Sequence, residues 1–288
     1  MTTVNKSNYY ASDWMGFEWS SWRSLNPADG ELSRISTNPG LYRVRHLDRD
    51  GLTYIGQTGR SLRGRLRALT GCYDEKMPYT DPHVAAPSLW AVRQEYGPDF
   101  EVSVTEPVDV NQRQRRLAIE EMLIAVYRRE SGENTTANFG RIIEGYKRSG
   151  RRSDGFTGGK LAEGETERNT EPGVAPLPWT DADKPTGPSW MGLDWTEPES
   201  LAKAYGLPIE AGVYRIWDRK EPERLEYIGQ SEDLKSRLYR HRRNRDEGLA
   251  FSYAIIDDGD AKHKREQVET DLIGAHWLAT NSAPRDQF

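Results

Sequence analysis

Short stretches of alternating apolar and polar residues occur in both halves of the chain with similar neighbours. Residues 41–46 and 212–217 alternate as half-buried β-strands do. After a turn-rich gap, each is followed by a second strand-like run, at residues 52–57 in the first half and 224–230 in the second. The pattern predicts an antiparallel hairpin in each half.

A helix is predicted directly after each hairpin. The predicted helices cover residues 61–69 and 232–243. Ser61 and Ser231 are the expected N-caps, because a serine hydroxyl can accept a hydrogen bond from a backbone N–H of the first helical turn. In the first half only, an insertion rich in turn residues, at positions 71–94, follows this helix.

Each half ends with a third strand and a long amphipathic helix. The strands are predicted over residues 100–105 and 250–256, and the closing helices over residues 112–129 and 262–278. The residues expected to face inward from the first closing helix are Ile119, Met122, Leu123 and Val126. Each half is therefore predicted to be α+β, with a small three-stranded, mostly antiparallel sheet flanked by helices.

Four motifs occur in the same order in both halves, which indicates a tandem duplication. The first is a Trp-Met-Gly-x-x-Trp leader that begins at Trp14 and again at Trp190. The first three motifs are offset by 172 to 176 residues between the halves. We therefore expect a first domain over residues 1–148 and a second over residues 187–288, each with its own leader.

The segment between the two predicted domains, residues 149–186, differs from them in composition. It is rich in Gly, Pro, Thr, Ser and charged residues and contains few apolar ones. Such a segment cannot bury enough apolar surface to offset the entropy lost on ordering. We expect a flexible linker that a protease cuts first, with the release of two folded halves.

The composition limits the classes of protein to which this 288-residue chain can belong. Its longest apolar run, residues 122–127, is far too short to span a membrane, and the N-terminus lacks the apolar core of a secretory signal. A single cysteine, Cys72, excludes an internal disulfide framework and a thiolate zinc cluster. We expect a soluble, cytoplasmic protein with no membrane partner.

Each predicted hairpin carries two tyrosine motifs. In the first half, Gly-Leu-Tyr ends at Tyr42 and Tyr-Ile-Gly begins at Tyr54; in the second, Gly-Val-Tyr ends at Tyr214 and Tyr-Ile-Gly begins at Tyr227. These motifs resemble the GIY-YIG nuclease family over about 100 residues in each half. The resemblance implies two tandem GIY-YIG-like domains. It also implies an endonuclease that hydrolyses phosphodiester bonds of DNA with Mg²⁺ or Mn²⁺ and without an organic cofactor.

The resemblance continues into the first predicted helix of each half. The family has an arginine there within Leu-x-x-Arg-Leu, and it corresponds to Arg65 in the first copy and Arg237 in the second. The first copy has an extra residue between Tyr-Ile-Gly and this arginine, so Arg60 and Arg63 compete with Arg65.

The closing helices carry the remaining positions of the resemblance. The family's glutamate, within Glu-x-x-Leu-Ile, corresponds to Glu120 and Glu269. Its late asparagine corresponds to Asn281 in the second copy. In the first copy it corresponds to Asn138, with Asn134 as the alternative.

The resemblance implies a role for each residue type. The first tyrosine of each hairpin orients or deprotonates the attacking water, the second shapes the pocket, the arginine holds the non-bridging oxygens, and the glutamate binds the metal ion. His241, one turn after the helix arginine, is expected to assist at a phosphate; the alternative is a solvated histidine on a basic helix. A purely structural alternative is that Glu120 and Glu269 pair with Arg116 and Arg265, four residues earlier on the same helices.

Basic residues cluster around the proposed sites although the net charge of the chain is −5. A polyanion responds to the local field of such a patch more than to the total charge. The residues expected to contact a nucleic-acid backbone are Arg60, Arg63, Lys235, Arg240, Arg242 and Arg243. DNA is the expected partner, and a monomer is expected to suffice because one chain supplies two sites.

Two other functions remain open from the sequence. One is a DNA-binding module in which one or both copies do not cut, and the other is an RNA nuclease. Of the two copies, the second matches the family's spacing more closely and is expected to be the better catalyst. The leader tryptophans are interpreted as packing residues more than as a surface for stacking bases.

Overall fold

The first predicted hairpin forms one side of a four-stranded antiparallel sheet. The computed structural model describes residues 8–107, 109–245 and 248–288. The strands of its first sheet are β1 (Arg23–Ser24), β2 (Gly40–His46), β3 (Leu52–Thr58) and β4 (Phe100–Thr105). Their order is β1-β4-β2-β3, with antiparallel neighbours throughout. The sheet has one strand more than predicted because the segment after the leader adds β1 at its edge, and a two-residue strand is too short to show an alternating pattern.

The helices of the first half are α1 (Leu62–Leu69), α2 (Ala86–Tyr96) and α3 (Arg113–Ser131). The prediction of α1 and its cap is confirmed, since the Ser61 hydroxyl accepts a hydrogen bond from the Gly64 N–H. The helix α2 is absent from the prediction. It lies mostly within the 71–94 insertion, where the many turn residues before it hide a short buried helix that has a proline in its first turn.

The segment 149–186, predicted to be a linker, forms defined hydrogen bonds with both halves of the sequence. Near its start, β5 (Tyr146–Lys147) pairs with β6 (Gly159–Lys160) in a small hairpin. Further along, the Val174 N–H donates to Gln267 Oε1 at 2.9 Å. These hydrogen bonds use backbone groups and polar side chains, so a composition argument based on apolar burial does not predict them.

The second half repeats the plan of the first. Its strands are β7 (Glu199–Ser200), β8 (Gly212–Asp218), β9 (Leu225–Ser231) and β10 (Leu249–Ile255), and its helices are α4 (Leu234–Asn244) and α5 (Lys262–Thr280). The strand order is β7-β10-β8-β9. The cap of α4 is Asp233, whose carboxylate accepts from the Ser236 N–H, so the prediction of Ser231 as the cap is wrong. No helix in the described ranges is long and apolar enough to cross a membrane.

Each sheet buries an arginine under the tryptophans of its leader. The Arg43 guanidinium lies 4.3 Å from the Trp19 ring centroid, and that of Arg215 lies 4.1 Å from the Trp195 ring. Burial lowers the pKa of both arginines to about 9. The guanidinium groups therefore stay charged at neutral pH and interact with the aromatic faces as cations. The leader tryptophans are buried, as the packing interpretation predicts.

The described chain folds into two units whose boundary does not follow the duplication. Unit 1 contains the residues up to Arg116 together with Glu130–Pro172, and unit 2 contains Leu117–Arg129 together with Gly173–Phe288. The middle of α3 therefore belongs to unit 2, although its sequence lies in the first repeat. The four residues predicted to face inward from α3 are all buried, as are the residues on its other faces from 122 to 128.

Within unit 2, the middle of α3 packs closely against α5. Arg128 and Asp271 form a fully buried ion pair, with Nε and Oδ1 2.7 Å apart. A Cβ atom placed on Gly274 would lie 2.4 Å from the Cβ of Ala125, so this close approach requires glycine. The core of unit 2 thus depends on a helix that precedes the 149–186 segment in the chain.

Limited proteolysis should cut the chain without separating the fragments. Trypsin is expected to cut at Lys160 or Arg168, which are exposed in the 149–186 segment. The fragments should elute together in native buffer because residues 117–129 stay packed in unit 2, and they should separate only in denaturant. Separate elution in native buffer would contradict the packing of α3 on α5. Resistance of the segment while other loops are cut would contradict its flexibility.

Candidate active sites

In both sheets, the first tyrosine lies directly opposite the glycine of Tyr-Ile-Gly. Tyr42 on β2 pairs with Gly56 on β3, and Tyr214 on β8 pairs with Gly229 on β9. A Cβ atom on Gly56 would lie 2.6 Å from Tyr42 Oη, and one on Gly229 would lie 2.3 Å from Tyr214 Oη. Only glycine leaves room for the tyrosine ring to lie across the neighbouring strand. This pairing explains why the two motifs occur together in each copy.

In unit 2, one arginine connects the two tyrosines of the hairpin. Arg237 donates from Nε to Tyr214 Oη at 2.8 Å and from Nη2 to Tyr227 Oη at 3.1 Å. The two tyrosine rings are stacked, with centroids 6.0 Å apart. The structure therefore brings together three residues that the sequence assigned to one site.

His241 completes the hydrogen bonding around Tyr214. Its Nε2 lies 2.9 Å from Tyr214 Oη, and its Nδ1 accepts from Arg245 Nε at 3.0 Å. Burial, followed by the charges of Arg245 and Arg237, lowers the pKa of His241 to about 3, so the ring is neutral at neutral pH. Because a guanidinium can only donate, the single ring proton is on Nε2 and is donated to Tyr214 Oη.

Tyr214 Oη thus accepts two hydrogen bonds, from Arg237 and from His241. Burial and the neighbouring Tyr227 raise the pKa of Tyr214 above its usual value, although the Arg237 hydrogen bond opposes this shift. The phenol therefore keeps its proton at neutral pH, and with both acceptor positions occupied that proton points away from the two donors. This proton is available to orient a water molecule or a phosphate oxygen that lies next to Tyr214 Oη.

Glu269 on α5 lies near these residues and fits a cation-binding role. Its carboxyl group is half-buried, and its charge interacts with those of Arg237 and Tyr214. Burial, then the charges of Glu121 and Glu266, raise its pKa to about 8. Within the described residues, no hydrogen bond or ion pair to Glu269 is present. At this pKa the carboxyl group is largely protonated near pH 7, and a cation that replaced the proton would stabilise the carboxylate.

A metal ion at Glu269 would have few protein ligands. Among residues 8–107, 109–245 and 248–288, no group of three or more His, Cys, Asp or Glu side chains is arranged to hold a metal ion. Mg²⁺ commonly keeps several waters and binds through one or two carboxylates and substrate phosphates. The donor set therefore fits Mg²⁺ better than a metal that requires a full protein cage.

In unit 1, a histidine from the insertion takes the place that His241 has in unit 2. His83 is fully buried, and its Nε2 lies 2.8 Å from Tyr42 Oη. The Ala85 N–H donates to His83 Nδ1 at 3.2 Å, and burial, then the charge of Arg65, lowers the pKa of His83. The ring is therefore neutral with its proton on Nε2, the same tautomer as in unit 2.

No pattern in the sequence predicts a site role for His83. The position that matches His241 is Leu69, and the insertion shows no family motif. The available signal was indirect: the first copy lacks a histidine on its helix, and its insertion contains the single histidine His83. The expectation that the second copy is the better catalyst did not include this contribution of the insertion to the first site.

Helix capping identifies Arg65 as the counterpart of Arg237. Each arginine is the fourth residue after its cap, which is Ser61 for α1 and Asp233 for α4, so the extra residue of the first copy precedes the helix. Arg65 Nη1 donates to the Pro82 carbonyl at 2.8 Å.

The two arginines that compete with Arg65 have other environments. Arg63 donates from Nε to the Ile35 carbonyl at 2.8 Å, and this bond fixes the preceding loop to the helix. Arg60 precedes the cap of α1, and its side chain is exposed. Arg60 therefore remains available to a polyanion, whereas Arg63 has a structural contact.

The glutamates on the closing helices are preceded by arginines with a structural role. Arg116 donates to Gln57 Oε1 at 2.7 Å, and Arg265 donates to Gln230 Oε1 at 2.9 Å. In both copies this bond links the closing helix to the end of the Tyr-Ile-Gly-Gln strand. Glu120 is half-buried on the part of α3 that belongs to unit 2.

The late asparagines do not occupy matching positions. Asn138 is buried, where its side chain accepts from the Ile55 N–H at 3.0 Å and donates to the Ile55 carbonyl at 2.9 Å. In the second copy, Gln287 forms the same two bonds with Ile228. The matching of Asn281 to Asn138 is therefore wrong: Asn281 is an exposed residue that ends α5 in the left-handed conformation. The bonds of Asn138 and Gln287 support the strand beneath the site.

The basic residues predicted to contact nucleic acid in the second copy lie along α4. Lys235, Arg240 and Arg243 are exposed, and Arg242 is half-buried against Tyr205. Exposed cations on one helix match the spaced negative charges of a nucleic-acid backbone.

No family model, curated protein or solved structure matched the chain. The chemistry is therefore inferred from the side chains and contacts described above.

Protonation of His241 should be coupled to unfolding. Its folded-state pKa is about 3, whereas an unfolded histidine has a pKa of about 6.5. Because the unfolded state binds the proton first, this residue's contribution to the free energy of unfolding is lost as the pH falls from about 6.5 toward 3. Urea unfolding measured at about pH 7.5 and about pH 5 should show that the free energy of unfolding falls less between these pH values for His241→Gln than for the natural protein. Equal losses would contradict a neutral His241.

Proposed function

We propose that this protein is a divalent-metal-dependent DNA endonuclease with two GIY-YIG-like units. The observation that carries the proposal is the arrangement in unit 2, where Tyr214 Oη accepts hydrogen bonds from Arg237 and His241 beside Glu269. A hydroxyl, a guanidinium and a carboxylate at one position supply the orientation of water, the binding of phosphate and the binding of a metal ion.

Arg237 would bind the scissile phosphate. Its Nε and Nη2 hold the two tyrosines in place, and its Nη1 forms no hydrogen bond within the described part of the chain. A guanidinium fixed at two nitrogens needs little further ordering to donate to a non-bridging oxygen, where negative charge increases in the transition state.

Tyr214 would orient the attacking water through the proton that points away from Arg237 and His241. A divalent ion bound at Glu269 would supply positive charge for the phosphate and the leaving oxygen.

Unit 1 supports a second candidate function, in which only one unit cuts and the other binds DNA. Arg65 donates to the Pro82 carbonyl, whereas Arg237 donates to both tyrosine hydroxyls of its site. An arginine held by a backbone carbonyl must give up that bond, or share it, to bind phosphate. The tyrosine and histidine of unit 1 nevertheless have the same arrangement as in unit 2.

Removal of both glutamate charges should abolish cleavage and preserve DNA binding. Glu120→Gln with Glu269→Gln removes both proposed metal ligands, and activity on supercoiled plasmid with Mg²⁺ should fall to background. Glu120→Gln alone should yield nicked plasmid if each half of the sequence cuts one strand. Glu133→Gln, at an exposed position just after α3, is the control. Undiminished cleavage by the double variant would contradict the metal assignment.

The two helix arginines should differ in their effect on rate. Arg237→Ala is expected to lower the single-turnover rate on the order of 100-fold, and Arg65→Ala is expected to lower it less. Arg67→Ala, an exposed arginine on α1, controls for the loss of one positive charge. Circular dichroism should be unchanged in all three variants. The reverse order of the two rates would show that unit 1 is the main catalyst.

A further inference from the structure

Two exposed tyrosines in unit 2 lie close to the same arginine. Tyr205 is 66% exposed and Tyr239 is 43% exposed, which is unusual for large aromatic side chains. The Arg242 guanidinium lies 3.9 Å from the Tyr205 ring centroid and 5.2 Å from that of Tyr239. We call these three residues the aromatic platform. The contact with the guanidinium holds the two rings in place while much of their surface faces solvent.

The loop that carries Tyr205 is attached to α4. The Leu234 N–H donates to the Glu210 carbonyl at 3.1 Å, and the Lys235 N–H donates to the Pro208 carbonyl at 3.2 Å. These bonds fix the loop against the first turn of the helix. The aromatic platform is therefore a fixed feature of α4 and its neighbouring loop.

The aromatic platform and the Tyr214 site lie on opposite edges of α4. Successive residues of an α-helix are rotated by about 100°, so Arg237 and His241 share one edge while Arg242 and Tyr239 share the other. The exposed residues Arg240 and Arg243 lie on the outer face between these edges. A helix with its side chains is about 10–12 Å wide, so a strand that crosses the outer face would connect the two edges within a few nucleotides.

The corresponding positions of unit 1 have no aromatic residues. In unit 1 the Leu62 N–H donates to the Asn38 carbonyl, which matches Leu234 with Leu62 and sets the correspondence between the two copies. On that correspondence, the aromatic platform residues are replaced by Ser33, Arg67 and Thr70. The fold therefore does not require aromatic residues at these positions.

We propose that the aromatic platform stacks unpaired bases of a DNA strand whose phosphate is held at the Tyr214 site. Aromatic rings and guanidinium planes bind bases through stacking, while basic residues follow the backbone. The exposed Lys235, Arg240 and Arg243 supply that basic path on α4. The inference rests on the proposed function and makes it specific: the substrate has a single-stranded segment next to the cleaved bond.

Binding without cleavage tests this inference separately from the nuclease activity. Fluorescence anisotropy in EDTA would measure the affinity of the full chain for three labelled DNA probes: a blunt duplex, a duplex with a single-stranded overhang, and the same overhang with abasic sites. The natural protein should prefer the overhang with bases. Tyr205→Ala with Tyr239→Ala should lower the affinity for the overhang with bases about 5- to 150-fold per stacked base. This variant should then bind the overhang with bases and the abasic overhang equally well. Tyr205→Phe with Tyr239→Phe should keep the preference.

Ser33→Ala with Thr70→Ala, at the unit 1 positions that correspond to Tyr205 and Arg242, is the control and should bind like the natural protein. Equal binding of the base-containing and abasic overhangs by the natural protein would overturn the inference. Tighter binding of an RNA overhang of the same sequence would overturn the choice of DNA. The natural protein could prefer the overhang with bases through Tyr205 and Tyr239 and yet cleave no DNA. That result would support the aromatic platform and contradict the nuclease proposal.

Discussion

The contact between a tyrosine ring and the glycine opposite it on the next strand determines the geometry of both candidate sites. Tyr214 lies across Gly229 and Tyr42 lies across Gly56, so each hydroxyl lies over the neighbouring strand of its hairpin. A side chain on either glycine would occupy the position of the tyrosine hydroxyl. Each site therefore begins with a residue that is rigid because it is buried between strands.

The histidine that contacts the tyrosine hydroxyl comes from a different structural element in each unit. In unit 2 a helix residue, His241, donates to Tyr214, and its tautomer is set by Arg245. In unit 1 an insertion supplies His83, and a backbone N–H sets the same tautomer. Both units therefore place a histidine Nε2 next to the tyrosine hydroxyl, although unrelated elements supply the histidine. The hydrogen bond between the two side chains is the feature that the two copies share. Burial keeps both rings neutral, which is the form that can both accept and donate.

The sequence predicts the local elements well because their signals are local. Strand alternation, helix periodicity and repeated motifs predict both hairpins, the helices that carry Arg65 and Arg237, and the buried residues of α3. The prediction misses features that depend on tertiary contacts. His83 approaches Tyr42 through an insertion with no repeat equivalent, and the bonds that Gln287 forms with β9 depend on how the last residues of the chain return to that strand.

The assignment of helix α3 to a unit also depends on tertiary contacts that the sequence does not predict. Its sequence belongs to the first repeat, yet its middle packs in unit 2, where Arg128 forms a buried ion pair with Asp271. A boundary drawn from the motif spacing cannot show this, because the pairing partner is far away in the sequence. The contacts made by His83, Gln287 and Arg128 are therefore seen only in the folded chain.

The most direct test of the account is the cleavage of supercoiled plasmid by the purified protein with Mg²⁺, compared with a variant that carries Tyr42→Phe and Tyr214→Phe. This change removes only the two hydroxyl groups to which His83 and His241 are hydrogen-bonded. The account predicts metal-dependent nicked or linear plasmid from the natural protein, and cleavage that is at least about 100-fold slower from the variant at unchanged DNA affinity. Equal cleavage by the two proteins, or none by the natural protein with any divalent ion, would contradict it.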